Sequence, residues 1–192
     1  MSADPARRRS AAVSHEHTFE AIYRGHHDFV WRVLFGLGVR PEQLDDATQE
    51  TFVIVYRRLD CYDRSLPLRS WLFGIARNVS RKQRTRKLSD RRWLELVEEP
   101  VSLEVDPWGR VLQGEAARIV QSALDDMDET QRHVFVAMEI EGLSAPELAR
   151  SLGISVNTIY SRLRLARRKF DKMIASVRCD GSPHAGGTRT CG

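Results

Sequence analysis

The chain has 192 residues, 42% hydrophobic and 29% charged, with a formal net charge of +4, the balance of a soluble globular protein able to form one ordinary domain or two small ones. No apolar run approaches the roughly 18 to 20 residues that span a bilayer, and the basic start Arg7 to Arg9 leads into polar residues rather than a signal-peptide apolar stretch, so cytoplasmic residence without membrane insertion is expected. Cys61, Cys179 and Cys191 are scattered with no CxxC pair, which argues against a disulfide framework or a closed zinc site.

Met1 to about Ser14 is rich in Ala, Ser and Arg without periodicity and reads as a disordered tail. Phe19, Ile22, Tyr23, His26, Val30, Val33, Leu34 and Leu37 then recur at three- and four-residue spacing, the stripe of an amphipathic helix that Gly36, Gly38 and Pro41 end. His26 lies on that stripe beside His27, with no carboxylate or Cys one turn away, so packing at a core edge is expected rather than a metal site. A second helix is predicted from about Pro41 or Glu42 to Leu59, buried through Leu44, Thr48, Phe52, Val55 and Leu59. Its other faces carry Asp45, Asp46, Gln49 and Glu50, in which Asp45 with Gln49 and Asp46 with Glu50 are i,i+4 neighbours. Without a nearby histidine, phosphate loop or nucleophile, this acidic-amide patch suits a protein contact better than catalysis or metal binding; a plain solvated face is the bland alternative.

A turn-rich loop, Asp63 to Ser70, follows Cys61 and Tyr62, and a third helix begins after it. Trp71, Leu72, Ile75, Ala76 and Val79 form its apolar stripe while Arg77, Asn78, Arg81, Lys82 and Arg84 project elsewhere, so one face enters a core and another suits phosphates and bases. The basic run continues through Lys87 to Arg92, opposed only by Asp90. From about Leu88 to Gly114 periodicity weakens, Pro100, Pro107 and Gly109 interrupt the chain, and Glu95, Glu98, Glu99, Glu104 and Asp106 reverse the sign of the charge, the composition of a linker. Two basic runs, the second from Arg162 to Lys172, on either side of an acidic segment suggest two contacts with one polyanion.

Helical pattern resumes over about Val111 to Met127 and Glu129 to Glu141. Ser144-Ala145-Pro146-Glu147 is then a capping-box pattern, opening a short helix from Pro146 to Leu152 that stops at Gly153; Ser155 caps the basic helix after it. A short helix, a glycine turn and a second basic helix make a helix-turn-helix. Ile159, Leu163, Ala166 and Phe170 face inward, leaving Asn157, Thr158, Ser161, Arg164, Leu165 and Arg168 as groove-facing candidates; a packed helical hairpin that never meets DNA is the alternative. The expected fold is all-α: two small helical domains, 15–88 and 113–177, joined by an acidic flexible linker, 89–112, with tails at 1–14 and 178–192, the second domain holding the helix-turn-helix.

Three stretches, Leu44 to Phe52, Trp71 to Asn78, and Leu143 to Phe170, resemble in order and spacing the sigma-70 family of bacterial RNA polymerase sigma factors, specifically its extracytoplasmic-function group. The resemblance runs from about Phe19 to Met173 and implies a non-enzymatic initiation subunit, without cofactor or metal, that directs polymerase to promoters. It places binding of core RNA polymerase, through its beta-prime and beta subunits, on Asp45, Asp46, Gln49 and Glu50. It places capture of the melted minus-10 element on a loop pocket of Tyr62, Ser65, Leu66, Leu68 and Arg69, with Asn78 and Lys82 adding polar and phosphate contacts. Trp71 matches the family's tryptophan, yet it falls on the apolar stripe, where a core role competes with stacking on a base. In the second domain the resemblance implies minus-35 readout, with Tyr160, Ser161, Arg164 and Leu165 approaching base edges and Asn157, Thr158, Arg162 and Arg168 placed for phosphates. Leu165 is apolar where some relatives carry a polar reader, which suits a thymine methyl. An anti-sigma partner is implied by resemblance alone, as is a linker whose acidic residues thread toward the polymerase active site. The tail with Cys179, His184 and Cys191 lies beyond the family core; three scattered ligands do not make a metal site.

Two other classes compete: a stand-alone helix-turn-helix regulator whose first domain binds an effector or dimerises, and an enzyme acting on nucleic acid. The first has no need of the acidic-amide helix, and the second lacks a metal cluster, phosphate loop or nucleophile-base pair.

Overall fold

In the computed structural model, which describes residues 18–90 and 115–180, every regular element among the described residues is helical. The first apolar stripe folds as α1 (Phe19–Gly36), opened by Thr18, whose hydroxyl accepts a hydrogen bond from the Ala21 amide at 3.4 Å. Ile22, Phe29, Val30, Val33 and Leu34 are buried along one side of it. Gly38, at φ +85°, turns the chain in the left-handed region, which costs residues bearing a Cβ roughly 1–2 kcal/mol. A single 3-10 turn at Pro41–Gln43 then feeds α2 (Leu44–Arg58), as the proline at its start suggests. Leu44, Thr48, Phe52 and Val55 are buried as their spacing predicts, joined by Ala47 and Thr51, while Leu59, the last of the predicted stripe, falls past the end of the helix and is half-buried.

After a second 3-10 turn, Leu59–Cys61, the chain enters α3 (Leu68–Asp90). Spacing alone carries the preceding loop through Ser70, but the helix begins earlier. The Pro67 carbonyl accepts from the amides of Ser70 and Trp71 at 3.0 and 3.2 Å, so Leu68 and Arg69 occupy a first helical turn whose entry the proline has already fixed. Leu72, Phe73, Ala76 and Val79 are buried along it.

The second half comprises α4 (Glu115–Asp125), α5 (Glu129–Phe135), a π turn (Val136–Ile140), α6 (Ala145–Leu152) and α7 (Val156–Asp180). Asp128 caps α5 by accepting from the Gln131 amide at 2.9 Å. The single helix expected over Glu129 to Glu141 is interrupted: past Phe135 the repeat widens, the Glu141 amide reaches back to the Val136 carbonyl at 3.0 Å, and Gly142 at φ +68° turns the chain away. Of the expected linker only residues 89 and 90 are described, as the end of α3; the rest, with the acidic residues Glu95, Glu98, Glu99, Glu104 and Asp106, lies outside the described residues, as do His184 and Cys191.

Both halves contribute to one continuous apolar core. Leu34, Leu72 and Phe73 from the first half and Val136, Leu148 and Ile159 from the second are buried in the same cluster. Two glycines permit the approach: a Cβ on Gly36 would meet both methyls of Val136 at 3.1 Å, and one on Gly74 would meet the Ser151 hydroxyl at 3.0 Å. That hydroxyl donates to the Ser70 carbonyl at 2.8 Å, stitching α6 to the start of α3. Leu72 has no exposed surface, so Leu72→Ala is expected to lower stability by about 2–5 kcal/mol, read as a fall in the urea midpoint. Arg24→Ala, which breaks only an exposed i,i+4 pair with Glu20, should leave that midpoint within error of the parent.

Candidate functional site

The residues singled out from the sequence fall on three surfaces. On α2, Asp45, Asp46 and Gln49 are exposed and Glu50 is half-buried. Asp45 and Gln49 edge an open cleft of about 650 Å³ between α1 and α2, walled by Phe19, Tyr23, Phe52 and Tyr56. Acidic and amide groups beside exposed aromatic surface fit a protein partner better than a small metal ion. Among the described residues, no cluster of His, Cys, Asp and Glu is arranged to hold a metal. Glu50 departs from its neighbours because both its oxygens are engaged: Oε1 with Lys82 Nζ at 2.5 Å and Oε2 with Gln83 Nε2 at 3.2 Å. A residue read as facing polymerase and one read as facing DNA therefore share a salt bridge.

The second surface is the loop before α3 and the helix itself. Tyr62 is buried, its hydroxyl donating to the Leu66 carbonyl and its ring lying 4.7 Å from that of Trp71. Burial pushes the Tyr62 phenol up, keeping it a donor. Trp71 is half-buried and packed against the core, so the apolar stripe claims it in this conformation. Asp63 accepts from the Ser65 amide at 2.9 Å, which holds its carboxyl below the usual range and fixes the turn. Ser65 and Asn78 are exposed, whereas Leu66 and Leu68 are half-buried. Arg69 is engaged elsewhere: its guanidinium lies 4.5 Å above the Phe29 ring and donates to both the carbonyl and the carboxylate of Glu141.

The third surface is α7. Ser144 and Glu147 close a reciprocal capping box, with Ser144 N to Glu147 Oε2 at 3.0 Å and Glu147 N to Ser144 Oγ at 3.4 Å. Gly153 ends α6 at φ +67°, and Ser155 opens α7 by accepting from the Thr158 amide at 3.0 Å. Ile159, Leu163 and Ala166 are buried and Phe170 is half-buried against Phe135, as the spacing predicts. Asn157, Tyr160, Ser161, Arg164, Leu165 and Arg168 are exposed along one side of α7, with Tyr160 and Leu165 presenting large apolar surface at 54% and 43% exposure. Thr158 and Arg162 are half-buried at its margins.

Sequence reasoning passes over the residues that join the two halves. Glu141 is buried, and its carboxylate receives Arg32 through Nε and Nη2, each at 3.0 Å, together with Arg69 Nη2 at 3.0 Å. Farther along the same seam, Arg77 Nε donates to His133 Nδ1 at 3.1 Å and Arg81 pairs with Glu129 at 3.0 Å. The available signal is local: Glu141 follows the apolar run Val134 to Met138 by three residues and stands immediately before a glycine. Its partners are more than seventy residues away in the chain. His26 takes the core-edge role expected of it, half-buried with Nδ1 3.2 Å from the Ile22 carbonyl, and burial pushes its pKa down.

Comparison with known proteins gives the family and the fold. Residues 22–89 match the family described as Sigma-70 region 2, and residues 117–170 match Sigma-70, region 4. The chain is 30% identical over 175 residues to RNA polymerase sigma factor CnrH of Cupriavidus metallidurans, covering 85% of this chain and 90% of that one. It is 29% identical over 159 residues to ECF RNA polymerase sigma factor SigM of Mycobacterium tuberculosis, covering 82% and 78%. Among solved structures it is similar to CnrH in complex with the cytosolic domain of CnrY, with TM-score 0.60, 27% identity and coverage of 82% and 88%. The fold is also shared by sigma factor RpoE of Bartonella quintana in complex with the anti-sigma factor NepR, with TM-score 0.66, 21% identity and coverage of 82% and 96%. With its matched regions in order and 90% of CnrH covered at 30% identity, the chain belongs to the sigma-70 family of RNA polymerase sigma factors, in the extracytoplasmic-function group, a family of transcription initiation factors.

Proposed function

We propose that this chain binds core RNA polymerase through the acidic-amide face of α2, reads a minus-35 element in duplex DNA with α7, and captures the melted minus-10 element with the loop before α3 and the helix itself. The observation that carries the reading is the outer face of α7: six candidate readers are exposed on one side of a helix held at a tight, capped turn. A helix presented this way fits the major groove, where Arg164 can donate to guanine O6 and N7, Leu165 can meet a thymine methyl, and Arg168 can neutralise a phosphate. Asn157, Thr158 and Arg162 lie toward the sugar-phosphate rims, and Tyr160 and Ser161 complete the reading edge.

Melting needs a place to hold a base that has left its stack, because unstacking costs a few kcal/mol. Tyr62, Ser65, Leu66, Leu68 and Arg69 border that place, with Asn78 and Lys82 following about two and a half and three and a half turns past Arg69 along α3. Loop turns fixed by Asp63 and Tyr62 hold the backbone still before a base arrives, which reduces the ordering cost of binding. The partner of α2 is assigned to the clamp of the polymerase beta-prime subunit, with the beta subunit completing the contact, and the site of action is the cytoplasm, where polymerase works. An anti-sigma factor is a further partner, a reading supported by the complexes of CnrH with the cytosolic domain of CnrY and of RpoE with the anti-sigma factor NepR.

Replacing Asp45, Asp46, Gln49 and Glu50 together by Ala should abolish co-purification with core polymerase while leaving binding to a minus-35 duplex within twofold of the parent. Retained core binding would overturn the assignment of α2. Arg164→Ala should weaken the selected minus-35 duplex by about 1–3 kcal/mol and relax the preference at one base pair. Arg168→Ala should instead weaken all duplexes alike and shallow the dependence of log affinity on log salt by about one unit. A titration series over ionic strength with two duplex sequences separates the two behaviours.

A further inference from the structure

Glu141 stands out among the described residues because it is a buried carboxylate of one half gripped by two guanidinium groups of the other. Its side chain is 2% exposed, against 35% for Arg32 and 44% for Arg69. Arg32 meets it in a two-pronged arrangement at 3.0 Å, and Arg69 Nη2 donates to Oε2, the oxygen that also receives Arg32 Nη2, and to the Glu141 carbonyl, at 3.0 and 2.9 Å. A carboxylate held by two guanidinium groups reproduces the hydrogen-bonding pattern of a nucleic-acid phosphate between arginines. The π turn and the left-handed Gly142 deliver it there; a continuous helix would give the carboxylate a different register.

We propose that Glu141 acts as an internal phosphate mimic that occupies Arg69 in a closed, latent form of the chain, so that closure of the two halves and capture of minus-10 DNA exclude each other. The inference rests on the reading of Arg69 as a minus-10 residue. Two lengths support it. Elements centred near minus-35 and minus-10 are on the order of 80 Å apart along B-DNA at about 3.4 Å per base pair. A compact chain of this size has a radius of gyration of roughly 16 Å and therefore spans only about 40 Å. With Gly36 and Gly74 closed against Val136 and Ser151, the halves cannot reach both elements at once. The seam is also crowded with cations: Arg77 and Arg81 line it from α3, with Arg162 close by on α7, and burial together with those neighbours pushes the Arg77 guanidinium down. Opening returns these groups to water or to a polyanion.

Closure is measured by energy transfer between dyes on Cys61, exposed in the first half, and Cys179 in a Cys191→Ser chain, with far-UV circular dichroism confirming the helical fold. Arg32→Ala and Glu141→Gln should both lower transfer efficiency and raise the affinity of the free chain for a randomised single-stranded DNA pool by at least tenfold. The Arg32 result is the sharper one, since removal of a cation ordinarily weakens DNA binding. Gly74→Leu, which wedges the seam without altering charge and favours its own helix, should do the same by a second route. Saturating wild-type protein with the DNA pool should lower transfer efficiency too, as reciprocal linkage requires. Unchanged transfer in all three variants, or opening with unchanged or weaker DNA affinity, would overturn the inference. The readout needs no polymerase. If the wild-type chain fails to direct core enzyme while the variants open and bind DNA more tightly, the latch stands and the proposed function fails; if the wild type directs transcription and no variant opens, the latch alone fails.

Discussion

A carboxylate withdrawn from water is tolerable only when its charge and lone pairs are met, and in this chain Glu141 meets that condition with groups supplied entirely by the other half. That requirement fixes how α1 and α3 approach the π turn and α6. Once the ion pair is formed, Gly36 and Gly74 must lack side chains, Ser151 finds the Ser70 carbonyl, and the apolar residues of both halves close into one cluster. An ion pair of this kind contributes little net stability relative to a well-packed apolar substitute, but breaking one partner is costly. It therefore specifies an arrangement more than it strengthens one.

The same economy of residues recurs on the functional surfaces. Glu50, on the face assigned to polymerase, holds Lys82, on the face assigned to DNA; Arg69 serves the closed seam and borders the proposed base pocket. Tyr62 and Trp71 pack on each other at the edge of that pocket. On α7 the proposed base readers Tyr160, Ser161, Arg164 and Leu165 are exposed together, which fits a division in which duplex recognition is preformed and single-strand capture is conditional. As an initiation factor, the chain gains from such conditionality, since a basic protein that bound DNA freely would be diluted over nonspecific sites.

How much of this was legible in the amino-acid order depends on the range of the contact. Most of the stripe of α1, the buried faces of α2 and α3, the capping box at Ser144 and the glycine stop at Gly153 depend on neighbours within a few residues and are found where spacing puts them, whereas Tyr23, at the margin of its stripe, is exposed, and Leu59 and Trp71 are half-buried. The start of α3 was displaced by three residues because Pro67 and its carbonyl set the first turn, a capping effect that apolar spacing does not register. The π turn was hidden for the same reason: the apolar run from Val134 to Met138 looks alike in either helical repeat. Glu141 and Arg32 were invisible because their partnership spans 109 positions, and in the sequence each is an ordinary surface charge. Residue type and register pointed to the α2 patch, the basic face of α3 and the outer face of α7, and the family resemblance supplied the loop residues before α3, whereas the mutual engagement of these surfaces through Lys82 and Arg69 is a property of three dimensions only.

The central claim is that this polypeptide gives core polymerase a promoter. Its most direct measurement is run-off transcription by purified core enzyme, with and without the chain, on a library of randomised upstream sequences. The account predicts transcripts with defined start sites only when the chain is present, from templates enriched for two conserved elements at a fixed spacing. Equal transcript yield and start-site scatter with and without it would contradict the account.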